Sequence, residues 1–171
     1  MTGWHIRLAQ PEDAEAMSAV EEDAAALFAS DPSLAGIALP PAGTPEDYRT
    51  RIAQGHCIVA HEGERIVGFA SCRPVGRELH LHELSVASSH QGRGIGRRLL
   101  YAVVADARAS GFRAVTLNTF RDVAWNGPFY ARHGFVEIDD IESHPRLAAS
   151  LEAAVAAGLP RERRCAMIRF V

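Results

Sequence analysis

Between residues 56 and 110 the chain changes its hydrophobic period once, and that change limits the fold more than any other feature. "HCIVAHE" (56–62), "RIVGFASCRPV" (65–75) and "ELHLHELSVA" (78–87) read as three strands. They meet through "EGE" (62–64) and "VGR" (75–77), connections so tight that the strands must run as an antiparallel meander. "SHQGRGIGRRLL" (89–100) then launches a helix from about Gly94 to Ser110. Its apolar stripe is Ile95, Leu99, Ala102, Val103 and Ala107.

The start of that helix carries an electrostatic conflict. Arg93, Arg97 and Arg98 crowd an end already positive from the peptide dipoles, and no Asp or Glu lies between Glu83 and Asp106. Each cation there is disfavoured by about 0.3–1 kcal/mol. A bound anion removes the conflict, because free N–H groups at a glycine-lined helix start form a phosphate cradle. The competing reading is a glycine- and arginine-rich surface loop.

Around this centre, "WHIRLA" (4–9) predicts a strand and Pro11 opens a helix to about Phe28. "SDPSLAGIALPPAG" (30–43) reads as a loop. Thr44 caps a second helix that ends near Gly55. Beyond the glycine-rich helix come a strand at 114–120, a short helix at about 127–133 ended by Gly134, and a strand "FVEI" (135–138). A late helix over 144–158 and a closing strand over 163–171 complete the order. The expected fold class is α/β (α+β), one domain over 1–171, with a mixed, mainly antiparallel central sheet and helices on both faces.

Composition narrows the chemistry. All 18 basic residues are arginine, which excludes a P-loop lysine and a Schiff-base lysine. A net charge of −3 lacks the basic excess of a nucleic-acid reader, and no apolar run reaches the roughly 18 residues of a membrane span. The early acidic residues of "MTGWHIRLAQPEDAEAM" do not suit a signal peptide. Three widely spaced cysteines (Cys57, Cys72, Cys165) without a CxxC suit buried thiols in a reducing, cytoplasmic setting.

Gly92, Gly94 and Gly96 are spaced G-x-G-x-G, which fails the dinucleotide fingerprint G-x-G-x-x-G at Arg97. Instead, Gln91-Gly92-Arg93-Gly94-Ile95-Gly96 resembles the Q/R-x-x-G-x-G/A signature of the GNAT superfamily of N-acetyltransferases. The strand "HELSV" before it, the helix after it, the segment "FYARHGF" (129–135) and the order of elements resemble that family together. The resemblance implies a GNAT-like acyl-CoA N-acyltransferase fold with acetyl-coenzyme A as co-substrate, bound where two strands splay. Backbone groups of the Leu84-Ser85-Val86 stretch would pair with the pantetheine arm, and the amides from Gly92 to Arg97, through Ile95, would hold the pyrophosphate. The partners implied are acetyl-coenzyme A and an amine, with no nucleic acid, membrane or metal expected; homodimer formation stays open.

An amine acceptor must lose a proton, the thioester oxygen needs an N–H donor, and the leaving thiolate needs a proton or a hydrogen bond. Tyr130 occupies the family's tyrosine position, four residues before Gly134, and is the candidate acid; a core aromatic is the alternative. For the base there are three candidates on one strand. By alternation His80 and His82 share a face with Leu84 and Val86, and they sit where serotonin N-acetyltransferase, a GNAT member, carries a histidine pair. Glu83 falls at a position often acidic in the family and on the opposite face, unless a bulge turns it inward. A His-x-His metal site, with His61 or Cys72 as third ligand, would instead suggest a hydrolase. A non-catalytic acyl-CoA sensor is the other alternative. Many family members carry an asparagine seven residues before the tyrosine, where this chain has Val123. Asn126, four before, is kept as a coenzyme-contact candidate, with helix capping as its other role.

Overall fold

The computed structural model describes residues 3–171, so Met1 and Thr2 of the expected N-terminal segment fall outside it. Seven strands form one sheet: β1 (His5–Leu8), β2 (Cys57–Glu62), β3 (Arg65–Val75), β4 (Glu78–Val86), β5 (Ala114–Phe120), β6 (Val136–Glu137) and β7 (Arg164–Phe170). Their spatial order is β1-β2-β3-β4-β5-β7-β6, and every neighbouring pair is antiparallel except β4–β5. The single parallel step follows from connectivity, since the chain leaves β4, crosses a face as a helix and returns as β5.

The helices are α1 (Ala14–Ala29), α2 (Pro45–Ile52), α3 (Ile95–Ala109), α4 (Gly127–Arg132) and α5 (Pro145–Ala156). Pro11 opens a 3-10 turn rather than the first α-helical turn, and Asp13 there takes both guanidinium nitrogens of Arg7 at 2.6 and 2.9 Å. Thr44 caps α2 as expected, closing a reciprocal box with Asp47. The strand expected over 135–138 is shorter, pairing only at Val136 and Glu137.

Two cores flank the sheet. On one face α3 buries Ile95, Leu99, Leu100, Val103, Val104 and Ala107 against Ala70, Cys72, Leu79, Leu81, Val115 and Leu117. Burying each of the larger aliphatic side chains contributes about 1.5–3 kcal/mol. Leu100 and Val104 widen the stripe, while Ala102 is only half-buried. The approach is close at Gly68, where a Cβ would lie 3.1 Å from the Ser85 carbonyl and 3.2 Å from Ile95. On the other face α1 and α2 cover Val59 and Phe69 through Met17, Tyr48 and Ile52, and α5 covers Ala166 through Leu147 and Leu151.

Two local departures from regularity open and reorient the middle of the sheet. The β4–β5 ladder pairs only Glu78–Ala114, Leu79–Val115 and His80–Thr116, so the strands part beyond His80. Opposite β3, Ser71 pairs with Glu83 but Cys72 pairs with Leu81, which leaves His82 as the extra residue of a bulge.

Candidate active site

The bulge reverses the parity of β4. Leu79 and Leu81 face α3, and after the extra residue so does Leu84. Glu83 and Ser85 therefore face α1 and α2, beside Phe69 and Ser71 on β3. This corrects strict alternation: Leu84 does not share the face of His80, and Glu83 does. The Ser85 hydroxyl donates to the Glu83 carboxylate at 2.7 Å.

Glu83 sits in a setting that favours its neutral form. Burial, then the charge of Glu21 on α1, push its pKa up to about 7. Glu21 is itself fixed by the Tyr48 hydroxyl and by the Gly43 amide, which donates at 2.7 Å. Nothing local in the sequence marks Glu21, which lies 62 positions from Glu83 in a helix whose pattern reports only burial.

The histidines differ from that carboxylate. His80 is 5% exposed, and burial with Arg146 alongside lowers its pKa to about 3. Arg146 on α5 donates to its Nδ1 at 3.3 Å and to Thr116 Oγ1 at 3.0 Å, and Thr116 Oγ1 lies 3.0 Å from the same nitrogen. With donors converging on Nδ1, the ring proton is assigned to Nε2. His82 is the more exposed of the two; reduced hydration, with Arg51 and Arg73 close by, draws it down to about 4. Neither His61 nor Cys72 joins them: among the described residues no group of three or more His, Cys, Asp or Glu could hold a metal ion.

Tyr130 on α4 lies in the α3-side core with Leu84 and Val86, its ring edge-on to both Phe129 and Phe135. Burial and then the Glu83 charge hold its pKa above that of a free phenol, so it is a protonated donor at neutral pH. Glu83 and Tyr130 thus flank the parted strands from opposite faces of the sheet.

The glycine-rich turn closes one end of the opening. Gly92 and Gly94 have φ of +74° and +79°, left-handed values that suit glycine, and no atom lies within 4 Å of where either Cβ would stand. Among the described residues the N–H groups from Gly92 to Arg97 have no acceptor, and the first turn of α3 contains no acid. Gln91 folds back, its Nε2 donating to the Val86 carbonyl at 3.1 Å. Asp23 on α1 holds Ser88 through its amide at 2.6 Å, and Glu62 on β2 meets His90 at 3.1 Å and Arg93 at 3.3 Å. Arg97 and Arg98 are exposed. The donor set fits a coenzyme pyrophosphate, and the β4 edge beyond His80, without a strand partner, fits the amides of a pantetheine arm.

Asn126 occupies the N-cap position of α4, yet its side chain makes no cap bond and accepts from Thr119 Oγ1 at 2.5 Å. Arg121 and Trp125, for which the sequence suggests no role, make contacts within the fold. Arg121 holds Glu137 at 2.6 Å and the Glu162 carbonyl, and Trp125 packs edge-on to Phe28 at 5.8 Å.

Comparison with known proteins identifies the family. Residues 17–135 match the family model described as the acetyltransferase (GNAT) family. The N-alpha-acetyltransferase RimI of Mycobacterium tuberculosis is 31% identical over 115 residues, covering 65% of this chain and 67% of its own. The rat N-acetyltransferase 8F1 is 40% identical over 73 residues, 39% of this chain; the match spans only 33% of that longer relative. PaiA N-acetyltransferase from Thermoplasma acidophilum, solved with coenzyme A, shares the fold at a TM-score of 0.73 and 16% identity, over 98% of this chain and 99% of its own. A GNAT family acetyltransferase from Brucella melitensis, solved with acetyl-CoA, superposes at 0.58 and 25% identity over 78% and 82%. The chain belongs to the GNAT family of acetyltransferases.

Proposed function

We propose that the protein moves the acetyl group of acetyl-coenzyme A to a primary amine by direct attack within a ternary complex, in the cytoplasm, with Glu83 as general base. The observation that carries the proposal is the position of a carboxylate with a pKa near 7 on the strand that parts from β5 and runs into an unpartnered amide cradle. An ammonium with a pKa near 10 is mostly protonated at neutral pH, so a base that is half-ionised there is matched to its task. The acceptor ammonium gives one proton to Glu83 and its nitrogen forms the N–C bond; as the C–S bond breaks, the second proton that the new amide sheds balances the thiolate, which leaves as the thiol. An unpaired amide of the β4 edge donates to the carbonyl oxygen as it gains charge. Coenzyme A, when bound, supplies the activated thioester.

Tyr130 donates to the departing sulfur from the opposite face. Its raised pKa makes it a hydrogen-bond donor more than a full proton source while Glu83 is charged. Once Glu83 is protonated, one cause of that elevation is gone, so the phenol becomes a stronger acid as the thiolate forms. His80 and His82 have a different part from the proton relay that their spacing suggests: the Nδ1 lone pair of His80 already accepts from Arg146, and its proton is on Nε2. Leu84, Ser85 and Val86 offer backbone groups to the pantetheine arm, while the Ser85 hydroxyl is engaged by Glu83.

Calorimetry with acetyl-coenzyme A, followed by release of free thiol in the presence of a panel of primary amines, tests the reading. Binding together with amine-dependent thiol release is expected. Binding with no thiol release from any amine would favour a sensor of acyl-coenzyme A.

A further inference from the structure

One face of the sheet carries a polar lane that the transfer chemistry does not use. Register places His80 opposite Thr116, Asn118 opposite Ala166, and Phe120 opposite Arg164, so His80, Thr116, Asn118, Phe120 and Arg164 look out on the Glu83 side of the sheet. Polar groups in this lane lack partners. Asn118 reaches Ser150 on α5 at 2.6 Å with one end of its carboxamide, and the other end is buried without a hydrogen bond. Either orientation of the amide leaves one end bare. Arg164 has a buried Nε with no acceptor. Its guanidinium lies 4.9 Å from the centre of the Phe120 ring, and among the described residues it has no salt bridge.

The neighbouring arginines are engaged. Arg163 holds Asp122 at 3.0 Å and the Ser33 carbonyl, and Arg161 lies 3.7 Å from Glu152. Arg164 alone of these three faces the lane uncommitted, walled by the apolar cluster of Phe28, Leu34, Phe120 and Trp125. The carboxylate that acts on this half-buried cation is Glu83, by charge and without a salt bridge, and a ligand anion in direct contact would complete it.

We propose that Arg164 receives a carboxylate of the acceptor, so that the substrate is an aminocarboxylate: a free amino acid with its amine at Glu83 and its anion at Arg164. The proposal rests on the acetyl-transfer reading. A second cation on the acceptor would meet a guanidinium that has no direct ion pair. A wholly apolar acceptor would leave both bare polar groups dry. A doubly charged phosphate calls for more than one cation and would approach Glu21 and Glu83, so a monoanion fits best. Size agrees. The guanidinium rests over Phe120 of β5 and feels the charge of Glu83 on the neighbouring strand, so an acceptor whose amine and carboxylate are a few bonds apart suits the pair. A planar fork resting over the Phe120 ring suits paired hydrogen bonds to a carboxylate.

The test compares free amino acids with their own carboxamides as acceptors for the intact protein, with thiol release as readout. The best amino acid should exceed its carboxamide in kcat/KM by about 10- to 100-fold, the range for a charged hydrogen-bonded contact. Arg164→Met, which keeps the apolar stem over Phe120, should bring that ratio close to one, with the loss carried by acceptor KM. Arg164→Lys should keep part of it. Calorimetry with acetyl-coenzyme A checks that each variant is folded. Carboxamides used as well as amino acids, a ratio that survives Arg164→Met, or turnover of amines but of no aminocarboxylate would each overturn the proposal while leaving acetyl transfer intact. Failure to bind acetyl-coenzyme A would remove the reading beneath it, and the proposal with it.

Discussion

The two ends of the opening between β4 and β5 are made of different material. The end proposed for the coenzyme is backbone: one contiguous turn, two left-handed glycines and, among the described residues, a row of amides without acceptors. The end proposed for the acceptor is side chain: Glu83 from β4, Glu21 from α1, Tyr48 from α2, Asn118 from β5, Arg146 and Ser150 from α5, and Arg164 from β7. A backbone cradle binds what all relatives share and tolerates change in its side chains. A side-chain pocket can be rebuilt one residue at a time, and this is where specificity can diverge on a common fold.

If that contrast is right, the two ends should break differently. The largest effect on binding should come from Gly94→Glu, which forces a side chain into a left-handed position and puts a charge of the pyrophosphate's own sign at the cradle. Affinity for acetyl-coenzyme A should fall by at least about 100-fold by calorimetry, from the loss of several charge-assisted hydrogen bonds. Arg97→Ala, at the same place but touching only a side chain, should cost far less. Equal losses would contradict a backbone-built site.

Tyr130→Phe keeps the ring contacts with Phe129 and Phe135 and removes only the hydroxyl. Turnover should drop on the order of 100-fold where chemistry limits the rate, with coenzyme affinity retained.

The acceptor end should also show its cost in stability. Folding raises the Glu83 pKa from the usual carboxylate range to about 7. The folded state therefore favours the proton, and stability declines as pH rises from about 4.5 through 7. Glu83→Gln removes this penalty, so at pH 8 the variant should be more stable than the parent by on the order of 2–3 kcal/mol, with little difference at pH 4. Thermal melts at the two pH values measure it. The smallest expected change is Glu21→Gln. Removing that charge lowers the Glu83 pKa, so the rise of rate with pH should move to lower pH with the plateau little changed.

The same contrast explains what could be read from sequence. The turn from Gln91 to Gly96, the Thr44 cap and the meander are local, set by residues within a few positions of one another, and they stand where their patterns place them. The orientation of Glu83 depends on a bulge defined by how β4 meets β3, and alternation within β4 cannot reveal it. The His80–His82 spacing looks like a titrating pair because a sequence gives their separation and not their hydration or the guanidinium of Arg146, 66 positions away. Arg164 and Asn118 become neighbours of the site only through the β5–β7 register.

The central claim is that Glu83, and not the histidine pair, takes the acceptor's proton. The pH dependence of kcat/KM, measured for the parent, Glu83→Gln and His80→Gln/His82→Gln with one amine, tests it most directly. A rise through a group near 7 is expected in the parent and in the double histidine variant. In Glu83→Gln that rise should vanish, with the rate lower by about 100- to 10,000-fold and following only the ionisation of the amine. Loss of the rise in the histidine variant and its survival in Glu83→Gln would contradict the account.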